Sequence, residues 1–192
     1  MHQKQVFQQF AIPLLVAAII LVSVSILSYY FNKSFTTVTV SSALQKYNGY
    51  TFLLDGEKVN ISEGAFMTEN LQGGLSPSNI QYFGNDVIGD FDTDGKQDVA
   101  FIVTRETSGS GIFYYVVTFL KIGLSTGGRT EAFFIGDRIA LQSTEIKNGK
   151  ILIVNYADRK NNESLTTLPS VGTSLYLQLD TKTRRFEKVE NK

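Results

Sequence analysis

An uncharged apolar stretch near the amino terminus restricts the fold of this chain more than any other feature. Residues 10–31 read FAIPLLVAAIILVSVSILSYYF and contain no charged side chain. A helix needs roughly 20 consecutive apolar residues to cross a bilayer. Pro13 falls in the first turn, where a missing N–H does least harm, and Tyr29 to Phe31 form an aromatic end suited to the lipid–water interface. The pattern predicts a transmembrane helix over 10–31.

A cleavable signal peptide is the alternative interpretation of the same stretch. Ser23-Val24-Ser25 has the small residues of a cleavage site. The stretch is longer than the roughly 7–15 apolar residues of a signal peptide, which favours an uncleaved anchor. Residues 1–9 form a short leader, and Lys4 and Lys33 give only a slight charge bias across the stretch. We adopt as a hypothesis a single-pass protein of the cell membrane with residues 34–192 outside the cytoplasm.

The composition excludes several classes of function. The chain of 192 residues has no cysteine, and its one histidine is His2 in the leader. Disulfides, thiol nucleophiles and cysteine-ligated zinc are excluded, and so is a catalytic histidine within residues 34–192. The 18 basic residues balance 18 acidic ones, so there is no electrostatic footprint for nucleic acid. We therefore expect no nucleic-acid partner.

After Ser34 the sequence is typical of a mainly β domain, an antiparallel sandwich or a partly open barrel. Short β-branched and aromatic runs alternate with Gly, Asn and Asp at a spacing of roughly 8–12 residues. Asp55-Gly56 and Asn148-Gly149 each supply the two positive φ angles of a type I′ hairpin turn. A short helix capped by Ser41 or Ser42 is predicted over 43–47. The predicted strands are 36–40, 50–54, 57–61, 98–104, 112–121, 130–135, 144–147, 151–156, 174–179 and 185–189.

Two of these strands are expected at the centre of the domain. The runs at 112–120 and 151–154 are apolar on both faces, so both faces need cover. A loop at 73–78 divides the domain into a small front lobe and a larger back lobe. Because neither piece looks independent, we expect one core that contains both lobes.

An aspartate loop carries the clearest chemical signal. Residues 90–98 read DFDTDGKQD, with carboxylates at loop positions 1, 3, 5 and 9 and glycine at position 6. Calcium takes six to eight oxygens at about 2.3–2.6 Å, and a tight loop directs alternate side chains to one centre. Two carboxylates 4 Å apart repel by about 4 kcal/mol at an effective dielectric constant of 20, so the loop favours a divalent cation.

The spacing predicts one structural Ca²⁺ ion. Its ligands would be the backbone oxygen of Lys96, whose ammonium points away, and the carboxylates of Asp90, Asp92, Asp94 and Asp98. Position 12 is Phe101 and not the bidentate glutamate of an EF-hand, and a strand follows the loop. A solvated Asp/Gly turn without metal is the alternative.

The stretch from Tyr82 to Ala100, with its Phe83-Gly84 pair and the aspartate loop, resembles one FG-GAP unit, the calcium loop of integrin-type propeller blades. Only one copy is present, and a propeller needs several blades, so the resemblance implies the loop without the propeller. Residues from about 79 to 179 also resemble an uncharacterised group of bacterial membrane-anchored or secreted proteins. The loop, 109–117, 136–140 and 154–160 carry that resemblance, which implies location and no reaction.

No catalytic residues are predicted. The segment 108–111 lacks the single flanked serine and the histidine of a nucleophile elbow, and a turn is favoured. Core packing is favoured over a sugar-stacking platform for Phe113, Tyr114, Tyr115, Phe119, Phe133 and Phe134. Turn ion pairs are favoured over a shared surface pocket for Asp137-Arg138 and Asp158-Arg159.

The sequence thus predicts a binding or cell-envelope interaction module, attached to the membrane through 10–31, whose ligand it does not identify. The alternative is a carboxylate-based hydrolase of envelope polysaccharide, which needs two carboxylates about 5–9.5 Å apart. A pilin-like subunit is disfavoured because no glutamate occurs near the start of the apolar helix.

Overall fold

The computed structural model describes residues 42–68, 79–106, 109, 111–122, 125–128 and 130–191. The predicted leader 1–9, anchor 10–31, strand 36–40 and loop 73–78 lie outside these residues. Within the described ranges no helix has the length and apolar content needed to span a membrane.

Strands dominate the described residues, which confirms the prediction of a mainly β fold. A short 3₁₀ helix, Ser42–Tyr47, replaces the helix predicted over 43–47. The strands that follow are β1 (Thr51–Leu54), β2 (Glu57–Ser62), β3 (Ala65–Thr68), β4 (Ile80–Gly89), β5 (Asp98–Glu106), β6 (Ile112–Ile122), β7 (Ser125–Gly128), β8 (Thr130–Glu131), β9 (Phe133–Asp137), β10 (Ala140–Lys147), β11 (Ile151–Asp158), β12 (Val171–Asp180) and β13 (Arg185–Lys188).

The strands form two sheets. The larger has the order β10-β11-β12-β13-β8-β1-β2-β3, and the smaller has the order β4-β5-β6-β7 with β9 also paired to β6. Most neighbours are antiparallel, but β8 runs parallel to both β1 and β13. Glu131 of β8 pairs with Leu53 on one side and with Arg185 on the other. This short strand therefore joins the amino-terminal hairpins to the carboxy-terminal strands within one sheet.

The apolar core covers both faces of β5 and β6. Phe101 and Val103 belong to one buried cluster, while Ala100 and Ile102 belong to another. Since successive residues of a strand point to opposite faces, the two clusters lie on opposite sides of the smaller sheet. This confirms the prediction of cover on both faces for the run 112–120 in β6. The prediction is wrong for 151–154 in β11, where only alternate residues are fully buried. The single expected core is two clusters.

Each cluster draws on a different part of the larger sheet. The first includes Leu44 of the 3₁₀ helix with Phe52 of β1. The second includes Val154 of β11 and Leu177 of β12. Front-lobe residues therefore pack directly on β5 and β6, which agrees with the expectation that neither lobe is independent.

Candidate metal centre

The aspartate loop closes the hairpin between β4 and β5. Gly89 at the end of β4 pairs with Asp98 at the start of β5. Within the loop, Thr93 and Gly95 have φ angles of 61° and 84°. Glycine adopts this left-handed region freely, whereas a β-branched threonine is strained there.

The base of the loop is packed against the turn between β10 and β11. The Asp90 N–H donates to the carbonyl oxygen of Gly149 over 2.9 Å. A Cβ atom on Gly89 would lie 2.8 Å from that same oxygen and 2.5 Å from Cδ1 of Ile146. The contact requires glycine at 89, and it fixes where the loop begins.

Three of the predicted ligands converge. Asp90, Asp92 and Asp98 each offer a carboxylate oxygen, and these oxygens lie within 4.8 Å of one another. Two oxygens bound to one calcium at 2.3–2.6 Å can be at most about 5 Å apart, so the spacing fits a shared ion. At 4.8 Å two carboxylates repel by about 3.5 kcal/mol at an effective dielectric constant of 20, before further screening by solvent. A divalent cation would remove that repulsion.

Asp98 is the buried member of the three, at 2% exposure. Its carboxylate accepts hydrogen bonds from the N–H groups of Phe91 and Lys121, each over 2.9 Å. Burial raises the pKa of the Asp98 carboxyl, the charge of Asp92 adds to that rise, and the backbone donors oppose it. Asp98 therefore connects the loop to the end of β6.

Asp94 lies outside this group of three. Its carboxylate accepts the Lys96 N–H over 2.8 Å and the Lys96 ammonium over 2.5 Å. Hydrogen bonding from the ammonium lowers the pKa of the Asp94 carboxyl and raises that of Lys96. The expectation that the Lys96 ammonium points away was wrong, because it pairs with the carboxylate of a predicted ligand. Ligation by Asp94 and by the backbone oxygen of Lys96 stays a prediction.

The loop backbone orients the Asp90 carboxylate. Its two oxygens accept the N–H groups of Asp94 and Gly95, each over 3.0 Å. The three converging donors are all carboxylate oxygens, which suit hard cations such as Ca²⁺ and Mg²⁺ and not soft metals. Mg²⁺ demands near-ideal octahedral geometry, whereas Ca²⁺ accepts irregular oxygen coordination.

A second polar cluster, built around a single carboxylate, was not predicted from the sequence. Asp86 accepts hydrogen bonds over 2.5 Å from the Lys46 ammonium and from the hydroxyls of Tyr47 and Tyr82. Burial alone would raise the pKa of Asp86, but the three donors together lower it. Burial and the neighbouring carboxylate raise the pKa of both tyrosines. The cluster holds the 3₁₀ helix against β4, and its position at a bulge in β4 gave no sequence signal.

The two Asp-Arg steps are adjacent in space. Arg138 forms a two-point ion pair with Asp137, with contacts of 3.1 and 2.8 Å. The Arg159 guanidinium instead donates to the carbonyl oxygens of Arg138 and Thr167, over 2.9 and 2.5 Å. Only the first step is the ion pair that the sequence favoured.

The aromatic residues considered for sugar stacking divide by burial. Tyr115 and Phe119 are buried, as favoured, at 5% and 1% exposure. Phe134 is 49% exposed, and its ring centroid lies 5.4 Å from that of Tyr115. The prediction of core packing is therefore wrong for Phe134, although its ring contacts the buried ring of Tyr115.

Comparison with protein-family models, curated proteins and solved structures found no match for this chain. The resemblance of residues 82–100 to an FG-GAP unit therefore stays a prediction that rests on those residues alone.

Proposed function

We propose that this chain is a membrane-anchored protein whose residues 34–192 form an extracytoplasmic β domain with one structural Ca²⁺ ion, and that the domain acts as a binding module of the cell envelope. The convergence of the Asp90, Asp92 and Asp98 carboxylates is the observation that carries the proposal. The anchor rests on the uncharged stretch 10–31.

A structural role for the ion follows from what surrounds the loop. Asp98 contacts the backbone of β6 through Lys121, and Asp90 contacts the β10–β11 turn through Gly149. An ion on these carboxylates would hold three parts of the domain together. Extracellular calcium modules need dissociation constants of only about 10⁻⁴–10⁻³ M. Such sites fill outside the cytoplasm, which agrees with the proposed topology.

The test is thermal unfolding of the full chain in detergent micelles, with Ca²⁺, with Mg²⁺ and with a chelator. Binding to the folded state stabilises it by about 2.7 kcal/mol when the ion is at 100 times its dissociation constant. We expect a higher Tm in Ca²⁺ than in chelator, and expect Asp92→Asn to remove the difference.

Asp180→Asn is the matched control. Asp180 also sits in a tight turn, where it accepts the Lys182 N–H over 2.8 Å, but it lies outside the aspartate loop. Its replacement should change the baseline Tm and leave the calcium-dependent difference intact. Equal Tm values of the wild-type chain in Ca²⁺ and in chelator would refute the calcium proposal.

A further inference from the structure

A groove lies on the face of β10–β12 that points away from the core. Leu152 and Val154 of β11 face the second cluster, so Ile151, Ile153 and Asn155 face outward. The groove has a volume of about 380 Å³. It is lined by Lys147, Ile151, Tyr176, Gln178, Val189 and Glu190. Its volume is at the lower end of the range of small-ligand sites.

The groove is preformed because paired strands and a hydrogen-bonded tail make its walls. Ile151 and Gln178 are cross-strand partners at one end of the β11–β12 pairing. The Val189 N–H donates to the carbonyl oxygen of Tyr176 over 2.9 Å, which holds the tail beside the sheet. Lys147 donates to the side-chain oxygen of Asn191 over 2.9 Å, and its ammonium lies 5.9 Å from the Tyr176 ring centroid.

A row of polar side chains continues the same face beyond the groove. Asn155 pairs with Ser143 on one neighbouring strand and with Ser174 on the other. Its amide nitrogen donates to Ser143 over 3.0 Å and to Glu145 over 2.9 Å. Its oxygen accepts the Ser174 hydroxyl over 2.7 Å. Amide, hydroxyl and carboxylate groups are thereby held in fixed positions beside an aromatic ring.

We propose that this outer face, the groove with its adjoining polar row, binds an uncharged glycan. An aromatic side chain supplies apolar contact for the C–H face of a sugar. The donors of the polar row are used within it, so its remaining oxygen lone pairs would accept hydrogen bonds from the sugar hydroxyls. Among the described residues that line the groove and the polar row, Lys147 is accompanied by Glu145 and Glu190, so they carry no excess positive charge to attract an anionic polymer. The inference rests on the proposed function, since it names the class of ligand for that envelope-binding module.

The test is calorimetric titration of the full chain with cellohexaose and with a hexamer of N-acetylglucosamine, and with polyphosphate as a charged comparison. The detergent must lack a sugar headgroup, because a glycoside detergent would compete for the site. We expect binding of at least one neutral hexasaccharide at millimolar concentration and no binding of polyphosphate. Tyr176→Leu should weaken glycan binding about tenfold or more, equivalent to about 1.4 kcal/mol.

Phe83→Leu is the matched control, because Phe83 is an exposed aromatic, at 45%, on a strand of the other sheet. It should leave glycan binding unchanged. If Tyr176→Leu does not fold, Gln178→Ala provides the second variant, and it should also weaken binding.

Absence of binding to both hexasaccharides, or binding that neither variant weakens, would overturn the inference. Preference for polyphosphate would also overturn it. The calcium-dependent Tm separates this failure from failure of the proposed metal site: a chain that Ca²⁺ stabilises but that binds neither glycan refutes the glycan inference alone.

Discussion

Replacing Gly89 by alanine tests whether the aspartate loop is held against the β10–β11 turn. The added Cβ would lie 2.8 Å from the Gly149 oxygen and 2.5 Å from Ile146 Cδ1. The isoleucine side chain can move, but the Gly149 oxygen is backbone and already accepts the Asp90 N–H over 2.9 Å. Relief of the clash must therefore separate the loop from the turn.

The expected cost combines two effects. Overpacking costs about 1–3 kcal/mol, and loss of the Asp90–Gly149 hydrogen bond costs about 1 kcal/mol. Gly89→Ala should therefore lower the free energy of unfolding by about 2–4 kcal/mol. For a chain of this size that corresponds to a decrease in Tm of about 4–16 °C.

Urea unfolding of the full chain, followed by circular dichroism, measures this loss. Gly172→Ala is the matched control, because Gly172 is also in a strand but a Cβ there meets no atom within 4 Å. Its stability should equal that of the wild type or exceed it by up to about 1 kcal/mol, through the lower entropy of the unfolded chain. Equal stabilities of the two variants would refute the packing of the loop on the turn.

Three further changes are expected to alter stability. The buried hydroxyl of Thr118 has no hydrogen-bond partner among the described residues. Thr118→Val should therefore raise the free energy of unfolding by about 1 kcal/mol, measured as a higher urea midpoint. Thr93 has a φ of 61°, which asparagine tolerates better, so Thr93→Asn should raise Tm in chelator by an amount equivalent to about 1 kcal/mol; an unchanged Tm would argue against strain at 93. Three donors lower the pKa of Asp86, so its contribution to stability is present above the unfolded pKa and is lost as the pH falls through the folded pKa. Unfolding measured from pH 7 down to pH 2 should show a smaller acid-induced loss for Asp86→Asn than for the wild type, and identical pH profiles would contradict this role.

Strands that are bounded by turn residues in the sequence were predicted. Asp55 and Gly56 have φ angles of 51° and 83°, as the predicted hairpin turn requires. Strand β4 was missed because Gly84, Asn85 and Asp86 interrupt it, and two register shifts opposite β5 absorb that interruption. Strand β7 was missed because its sequence, STGG, has no apolar alternation.

Long-range pairing left no comparable signal. The parallel pairing of β8 with β1 joins Phe52 to Thr130, and no local pattern specifies a partner so distant in sequence. The same limit applies to the candidate metal centre. The spacing of the loop predicted four converging carboxylates, and those of Asp90, Asp92 and Asp98 converge. It gave no sign that the Asp98 carboxylate accepts a hydrogen bond from the N–H of Lys121 on another strand. The ion pair of Asp94 with Lys96 joins residues only two positions apart, so the sequence does contain a local signal for it.

Calcium binding to the full chain tests the central claim most directly. Equilibrium dialysis against Ca²⁺ should show one ion per chain with a dissociation constant of about 10⁻⁴–10⁻³ M. Asp90→Asn, Asp92→Asn and Asp98→Asn should each weaken binding, because their carboxylate oxygens lie within 4.8 Å of one another. Asp180→Asn should bind as the wild type does. The account would be contradicted if the wild-type chain showed no saturable binding. It would also be contradicted if the three loop variants bound Ca²⁺ as tightly as the wild type does.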